Sequence, residues 1–142
     1  MAGKSNTRRG RNWIKKNEDF VNLDALTVVT GGAKSGKSRF AEGLATASGR
    51  PRVYIATAEA WDDEMRSRIA AHLKDRGTGW QTVEAPRDVA GALALVGPKA
   101  VVLLDCATLW LTNHMLADAD LARESVTLLQ ALKNCPAPVI VV

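Results

Sequence analysis

Apolar runs that suit β-strands alternate along this chain with stretches whose apolar residues recur at helical spacing. The runs occupy residues 23–30 (LDALTVVT), 53–56 (VYIA), 80–84 (WQTVE), 100–105 (AVVLLD) and 139–142 (VIVV). The β-branched composition of the first run is typical of a buried strand. Helical patterns cover residues 37–48, 61–76, 86–96, 107–117 and 119–133. This alternation predicts an α/β fold with a mostly parallel sheet and helices on both faces.

The helix predicted over residues 61–76 has an acidic first turn and a basic last turn, which complements the helix dipole. The acidic residues are Asp62, Asp63 and Glu64. One face of this helix is apolar apart from a histidine, and we expect it to point toward the protein. That face consists of Met65, Ile69, His72 and Leu73.

The last apolar run reaches Val142, where the sequence stops. A buried parallel strand with no helix after it predicts a fold that is incomplete at its C-terminus. The alternative is an edge strand that ends the domain.

The composition fits one globular domain with a short polar extension. Of the 142 residues, 46% are hydrophobic and 24% are charged, which is usual for a globular protein. The formal net charge is +4, of which residues 1–26 supply +3. We therefore predict a disordered basic extension over residues 1–25 and one folded domain over residues 26–142. The nearly neutral domain gives little support to nucleic-acid binding.

Nothing in the sequence indicates a membrane or an oxidising compartment. No run of about 18 apolar residues is present, so we expect no transmembrane helix and no membrane partner. The N-terminus lacks the apolar segment of a secretory signal. Two cysteines, Cys106 and Cys135, are too few for a disulfide framework and fit a reducing cytosol. We expect a cytoplasmic protein.

The segment GGAKSGKS, Gly31–Ser38, matches the phosphate-binding pattern G-x-x-x-x-G-K-[ST]. It lies between a predicted strand and a predicted helix, as in P-loop proteins. Successive backbone N–H groups of such a loop cradle phosphate oxygens, and the helix N-terminus adds a favourable dipole. Lys37 is expected to reach the β- and γ-phosphates and Ser38 to bind Mg²⁺. The pattern predicts binding of ATP or GTP, and a glycine-rich turn with a solvent-exposed lysine is the alternative.

A second Mg²⁺ ligand is predicted at Asp105, where the apolar run AVVLLD ends. P-loop proteins commonly organise Mg²⁺ with the loop hydroxyl and an acid at the end of another strand. The alternative role for Asp105 is to cap the helix that follows.

The chain has two histidines, His72 and His114. A single histidine on a helix face is more often a packing residue than a catalyst. A neutral imidazole at His72 is nevertheless able to attack a phosphorus atom. Position alone leaves both roles open for His72, and we interpret His114 as structural.

Five segments occur in an order and at spacings that resemble one enzyme family. They are GGAKSGKSRFAE, YIATAEAWDDEM, RIAAHLKDR, GWQTVEAP and VVLLDCATLWLTN. Together they resemble the bifunctional adenosylcobinamide kinase / adenosylcobinamide-phosphate guanylyltransferase of cobalamin biosynthesis, over about residues 26–142. The resemblance implies two reactions on one P-loop domain. Adenosylcobinamide is phosphorylated from ATP or GTP, and GMP from GTP then passes through a histidine to form adenosylcobinamide-GDP.

The resemblance also implies roles for individual residues. His72 matches the guanylylated histidine, and Lys37 is the second predicted catalytic residue. The triphosphate loop comprises Gly31, Gly32, Ala33, Lys34, Ser35, Gly36, Lys37 and Ser38. The other predicted nucleotide-contacting residues are Ala56, Thr57, Ala58, Leu73, Lys74, Asp75, Arg76, Glu84 and Asp105. An acid can accept paired N–H groups from guanine, and the resemblance leaves open whether Glu84 or Asp105 does so.

Two departures from the family bear on activity. The first 25 residues lie outside the family core, and family members continue beyond the strand matched by PVIVV. The continuing part helps to complete the sheet, the corrinoid site and the homotrimer that the resemblance implies. Two alternatives therefore stay open: a P-loop kinase of another small metabolite, with His72 incidental, or a nucleotide-binding fragment without turnover.

Overall fold

The computed structural model describes residues 20–142, except for the side chains of His72 and Asp75. Within this part, the strands are β1 (Leu26–Val28), β2 (Arg52–Ala56), β3 (Trp80–Glu84), β4 (Val101–Asp105) and β5 (Val139–Val141). The helices are α1 (Lys37–Ala47), α2 (Asp63–Arg76), α3 (Val89–Ala94), α4 (Ala107–Leu116) and α5 (Leu121–Asn134). The strands form one sheet in the order β1-β5-β4-β2-β3, and every neighbouring pair is parallel. The predicted α/β fold with helices around a parallel sheet is confirmed.

Alternation of side chains along the strands gives the sheet two apolar faces. On one face, Ile55 and Leu104 pack with Val89 and Leu93 of α3 and with Trp110 of α4. On the other face, the strand residues pack against Ala41 and Ala45 of α1; they are Tyr54, Val101, Leu103 and Ile140. The core therefore lies on both sides of β4, and α1 covers only part of the second face.

The helix ends follow local capping chemistry. The Asp62 carboxylate accepts a hydrogen bond of 2.8 Å from Met65 N, which confirms the acidic start of α2. The expectation that the third helix opens at Pro86 is wrong. That helix begins at Val89, because Asp88 caps it by accepting from Gly91 N at 2.9 Å.

The first strand is not buried as its composition predicted. Leu26 is 45% exposed and Val28 is 62% exposed. The cause is position: β1 lies at the edge of the sheet, and among the described residues only β5 pairs with it. Apolar β-branched sequence thus identified a strand correctly but did not distinguish a central strand from an edge strand.

The chain just before β1 contacts the body of the domain. Val21 N donates to Ala47 O at 2.9 Å, and Leu23 packs against the α1 side of the core. Most of the predicted extension, residues 1–19, lies outside the described residues, so the boundary at residue 26 stays a prediction. No helix in the described part of the chain has the length and apolarity needed to cross a membrane.

Candidate functional site

The predicted phosphate loop connects β1 to α1 and is largely exposed. Gly36, with φ at 86°, is the residue before the first turn of α1, in the left-handed region that glycine adopts without strain. A Cβ on Gly31 would lie 2.6 Å from Ser35 Oγ, so any other residue there would require the Ser35 side chain to move. The Lys37 ammonium group donates to Gly32 O at 3.3 Å. The loop thus combines a lysine and a helix N-terminus at the carboxyl end of a strand, which favours a bound anion.

Asp105, at the carboxyl end of β4, lies beside the first turn of α1. Ser38 Oγ donates to Asp105 Oδ2 at 3.1 Å. The hydroxyl group of Tyr54, on the neighbouring strand β2, donates to the same oxygen at 2.6 Å. The fold therefore brings together the two residues that the sequence predicted as Mg²⁺ ligands and adds a tyrosine that sequence reasoning missed.

Tyr54 is buried and contacts one cationic and one aromatic side chain. The Arg76 guanidinium carbon lies 3.5 Å from the centre of its ring, and Trp80 contacts it edge-on with ring centres 5.8 Å apart. Arg76 also donates to Thr82 Oγ1 at 3.1 Å, which ties the end of α2 to β3. Burial raises the pKa of the Tyr54 hydroxyl, and the Asp105 carboxylate raises it further. Tyr54 is therefore a neutral donor to Asp105 at physiological pH.

A cleft of about 670 Å³ opens between α2 and the part of the sheet that α1 leaves uncovered. Ser38 and Asp105 lie at one end of its lining, and Glu84 and Pro86 come from the chain at the end of β3. Residues of the α2 face form the opposite wall; they include Met65, Ile69, Leu73 and Arg76. Volumes of this size are usual for small-molecule and cofactor sites. The cleft meets the predicted phosphate loop at Ser38.

The predicted nucleotide-contacting residues differ in how they meet this cleft. Those that line it are Ser38, Ala56, Ala58, Leu73, Arg76, Glu84 and Asp105. Lys74 is exposed and is not among the lining residues. Thr57 is fully buried, and its hydroxyl group donates to Cys106 O and accepts from Cys106 N, both at 2.8 Å. The side chains of His72 and Asp75 lie outside the part that the structure describes.

Helix α4 carries three side chains that bond to the chain beyond β2 and β3. Trp110 Nε1 donates to Arg87 O at 3.0 Å, and His114 Nε2 lies 3.2 Å from the same oxygen. The Asn113 amide nitrogen donates to Thr57 O at 2.8 Å and to Pro86 O at 2.9 Å. His114 is 5% exposed, which agrees with its interpretation as a structural residue. Asn113 was missed, and the only sequence signal was an amide inside a mostly apolar helix.

The residues present fit Mg²⁺ of the kind that P-loop proteins use. Mg²⁺ prefers oxygen ligands and usually takes one or two from the protein, with phosphates and water supplying the rest. Ser38 Oγ and Asp105 Oδ2 are such oxygens, 3.1 Å apart at the end of the phosphate loop. Among the side chains that the structure describes, no group of three or more His, Cys, Asp or Glu residues lies close enough to hold a metal ion.

Comparison with known proteins supplies the observation that decides the family. Residues 27–142 match the family model described as cobinamide kinase / cobinamide phosphate guanyltransferase. The chain belongs to this family. Cobinamide kinase / guanyltransferase membership confirms the resemblance found in the sequence motifs and agrees with the parallel sheet and phosphate loop described above.

Curated relatives agree with the family match. The bifunctional adenosylcobalamin biosynthesis protein CobP of Pseudomonas aeruginosa is 45% identical over 118 residues, which cover 81% of this chain and 68% of the relative. The bifunctional adenosylcobalamin biosynthesis protein CobU of Escherichia coli K12 is 38% identical over 133 residues, which cover 82% of this chain and 73% of the relative. The corresponding Salmonella typhimurium protein is 36% identical over 134 residues, with the same two coverages.

Proposed function

We propose that this chain phosphorylates adenosylcobinamide with ATP or GTP and then transfers GMP from GTP to the product, forming adenosylcobinamide-GDP. One observation carries the proposal: Ser38, the last residue of the phosphate loop, is hydrogen-bonded to Asp105, and both residues line a cleft of about 670 Å³. Family membership supplies the cobinamide substrate class. The sequence resemblance further supports a cytoplasmic homotrimer.

In the phosphorylation step, the chain binds and orients the triphosphate. Backbone N–H groups of Gly31–Ser38 donate hydrogen bonds to the phosphate oxygens, and Lys37 stabilises the charge that develops during transfer. Ser38 and Asp105 would hold Mg²⁺, which neutralises charge on the phosphate oxygens when bound. Tyr54 donates to Asp105 Oδ2 and so fixes the orientation of that carboxylate.

In the guanylyl step, His72 is the proposed nucleophile. A ring nitrogen forms a bond to the α-phosphorus of GTP while the bond to the leaving pyrophosphate breaks. A phosphate oxygen of the cobinamide phosphate then attacks the same phosphorus atom. The nitrogen–phosphorus bond breaks, and the imidazole is regenerated.

Glu84 is the acid that we assign to guanine. Asp105 already accepts hydrogen bonds from Ser38 and Tyr54, which supports a role for it at the phosphate end of the site. Glu84 is exposed and lines the cleft at the end of edge strand β3. A carboxylate there can accept the paired N–H groups of guanine, whereas adenine offers no such pair.

Labelling with radioactive nucleotide tests the proposal. The chain is incubated with Mg²⁺ and GTP labelled at the α-phosphate and then separated under denaturing conditions. We expect a label on the protein that is acid-labile and alkali-stable, because a phosphoramidate has those properties. His72→Ala should abolish the label. His114→Gln, a change of the other histidine, is the matched control and should keep it.

The outcomes separate the competing functions. Transfer of the γ-phosphate to adenosylcobinamide without any label on the protein would leave a kinase with an incidental His72. Binding of GTP without either transfer would leave a nucleotide-binding chain without turnover. Retention of the label in His72→Ala would remove His72 as the nucleophile.

A further inference from the structure

Three segments at the carboxyl ends of neighbouring strands meet behind the cleft. They are the chain after β2 at Thr57, the chain after β3 at Pro86, and the start of α4 at Cys106. Ladder hydrogen bonds continue one step beyond the strands, with Thr57 N donating to Asp105 O at 3.1 Å and Ala85 N donating to Ala56 O at 2.8 Å.

Beyond these backbone bonds, the side chain of Asn113 on α4 donates to the chain after β2 and to the chain after β3. Its amide nitrogen bonds both Thr57 O and Pro86 O, and the residue is only 3% exposed. Both partners are carbonyl oxygens, so only the NH₂ group can face them, which fixes the orientation of the amide. Asn113 Oδ1 has no hydrogen-bond partner among the described residues. The two donated bonds are therefore what this buried side chain contributes.

The same two segments form part of the cleft lining. Ala56 and Ala58 flank Thr57, while Glu84 and Pro86 flank Ala85, and all four line the cleft. Thr57 itself is fixed from its other side by the two hydrogen bonds between its hydroxyl group and the Cys106 backbone. Asn113 thus connects both of these segments to α4, although Asn113 does not itself line the cleft.

We propose that Asn113 is a positioning residue for nucleotide binding, because it sets the spacing between the segments Ala56–Ala58 and Glu84–Pro86. The inference rests on the proposed function, in which both segments contact the nucleotide. Loss of Asn113 removes the donor to the buried Thr57 carbonyl and to the partly buried Pro86 carbonyl, which allows the two segments to separate. Displacement of binding groups by about 1 Å is enough to lower activity strongly.

Two variants on one helix distinguish positioning from general stabilisation. Asn113→Leu removes both donated bonds, and Asn113→Ala replaces it if the leucine variant does not fold. Trp110→Phe is the matched control, because it removes a buried hydrogen bond to Arg87 O but none to Thr57. All are made in the full chain. GTP dissociation constants with Mg²⁺ are measured by calorimetry well below each thermal midpoint.

We expect Asn113→Leu to raise the GTP dissociation constant by about tenfold or more, while Trp110→Phe stays within about twofold. Amide hydrogen exchange supplies a second readout that needs no ligand. Asn113→Leu should accelerate exchange in both segments, around residues 57–59 and 84–87, whereas Trp110→Phe should do so only near Arg87.

Three results would overturn the inference. GTP affinity unchanged in an Asn113 variant would show that the spacing does not matter. Equal losses of affinity in the Asn113 and Trp110 variants would show a general effect on stability. An unaltered chain that binds no GTP would refute the proposed function itself, and with it the role of Asn113; only this result appears before any substitution is made.

Discussion

At Asp105, hydroxyl groups from two separate elements converge on one carboxylate oxygen. Ser38 belongs to the phosphate loop, and Tyr54 belongs to the middle of β2. Because the tyrosine is buried and next to a carboxylate, its pKa is raised and it stays protonated. The sequence motif predicted Ser38 and Asp105 but not Tyr54, since a tyrosine in an apolar strand has no pattern that reveals its partner.

The raised pKa of Tyr54 predicts that the folded chain loses stability at alkaline pH. It is the only tyrosine in the chain, and in the unfolded state it ionises near pH 10. Above that pH the unfolded chain releases a proton that the folded chain retains, so the free energy of unfolding falls by about 1.4 kcal/mol per pH unit. Tyrosinate absorbance should stay absent in the folded chain and appear only on unfolding. Tyr54→Phe should weaken this pH dependence, and tyrosinate formation near pH 10 without unfolding would contradict the prediction.

The role proposed for Glu84 predicts that the chain binds guanine nucleotides in preference to adenine nucleotides. Glu84→Gln replaces the carboxylate that we propose accepts the two N–H groups of guanine, and hydrogen bonds to charged groups are worth about 1.5–3 kcal/mol. We expect GTP affinity to fall tenfold or more while ATP affinity changes little, as measured by competition binding. Glu59→Gln is the control, since Glu59 is another carboxylate that lines the cleft. Equal losses for GTP and ATP would assign Glu84 to the phosphates or to folding.

At the scale of elements, α2 and α4 relate differently to the core. No described residue of α2 is fully buried, whereas α4 buries Trp110, Asn113 and His114. Helix α2 forms one wall of the cleft, and Arg76 bonds its last turn to Thr82 of β3. We therefore expect α2 to open locally at a lower free energy than the sheet.

The caps of two helices test this difference. Removing an N-cap side chain costs about 1 kcal/mol, which corresponds to about fivefold faster exchange if the helix opens by itself. Asp62→Ala should accelerate amide exchange in the first turn of α2 and leave the thermal midpoint nearly unchanged. Asp88→Ala, which uncaps a helix that carries the core residues Val89 and Leu93, should lower the midpoint. The reverse pattern would show that α2 is part of the cooperative core.

Prediction from sequence succeeded where a single element carries the signal. The strand at Trp80–Glu84 and the acidic cap of α2 were found at the right residues, because period and capping chemistry are local. The start of α3 was wrong because proline is compatible with a first helical turn, whereas Asp88 holds the actual cap. Asn113 could not be found, since its two partners follow strands that are distant in sequence.

At the scale of the whole molecule, the sheet has one protected centre and exposed edges. Strand β4 is fully buried from Val101 to Leu104, whereas Leu26 and Val28 of β1 are largely exposed. Edge strands with exposed apolar side chains favour pairing with other chains. The sequence predicted a parallel sheet but not which strand lies at its edge, because strand order depends on packing between distant segments.

The β1 edge predicts self-association. Val28→Lys places a charge on the edge and should lower the fraction of associated protein in sedimentation experiments at high concentration. Leu95→Lys is the control: Leu95 is 87% exposed but lies just after α3, away from β1. Equal effects of the two substitutions would attribute association to apolar exposure in general.

The pairing of β1 with β5 also bears on the order in which the molecule folds. Leu26 lies opposite Val139, so the strand that supports the phosphate loop can pair with β5 only after the whole intervening chain has been synthesised. Closing so long a loop costs more conformational entropy than forming a contact between segments that are close in sequence. The pair β2 and β3 can form much earlier from a short connection. During synthesis on a ribosome, β2 and β3 would therefore pair first and form the part of the cleft that carries Glu84. The strand β1, which supports the triphosphate loop, would pair with β5 later.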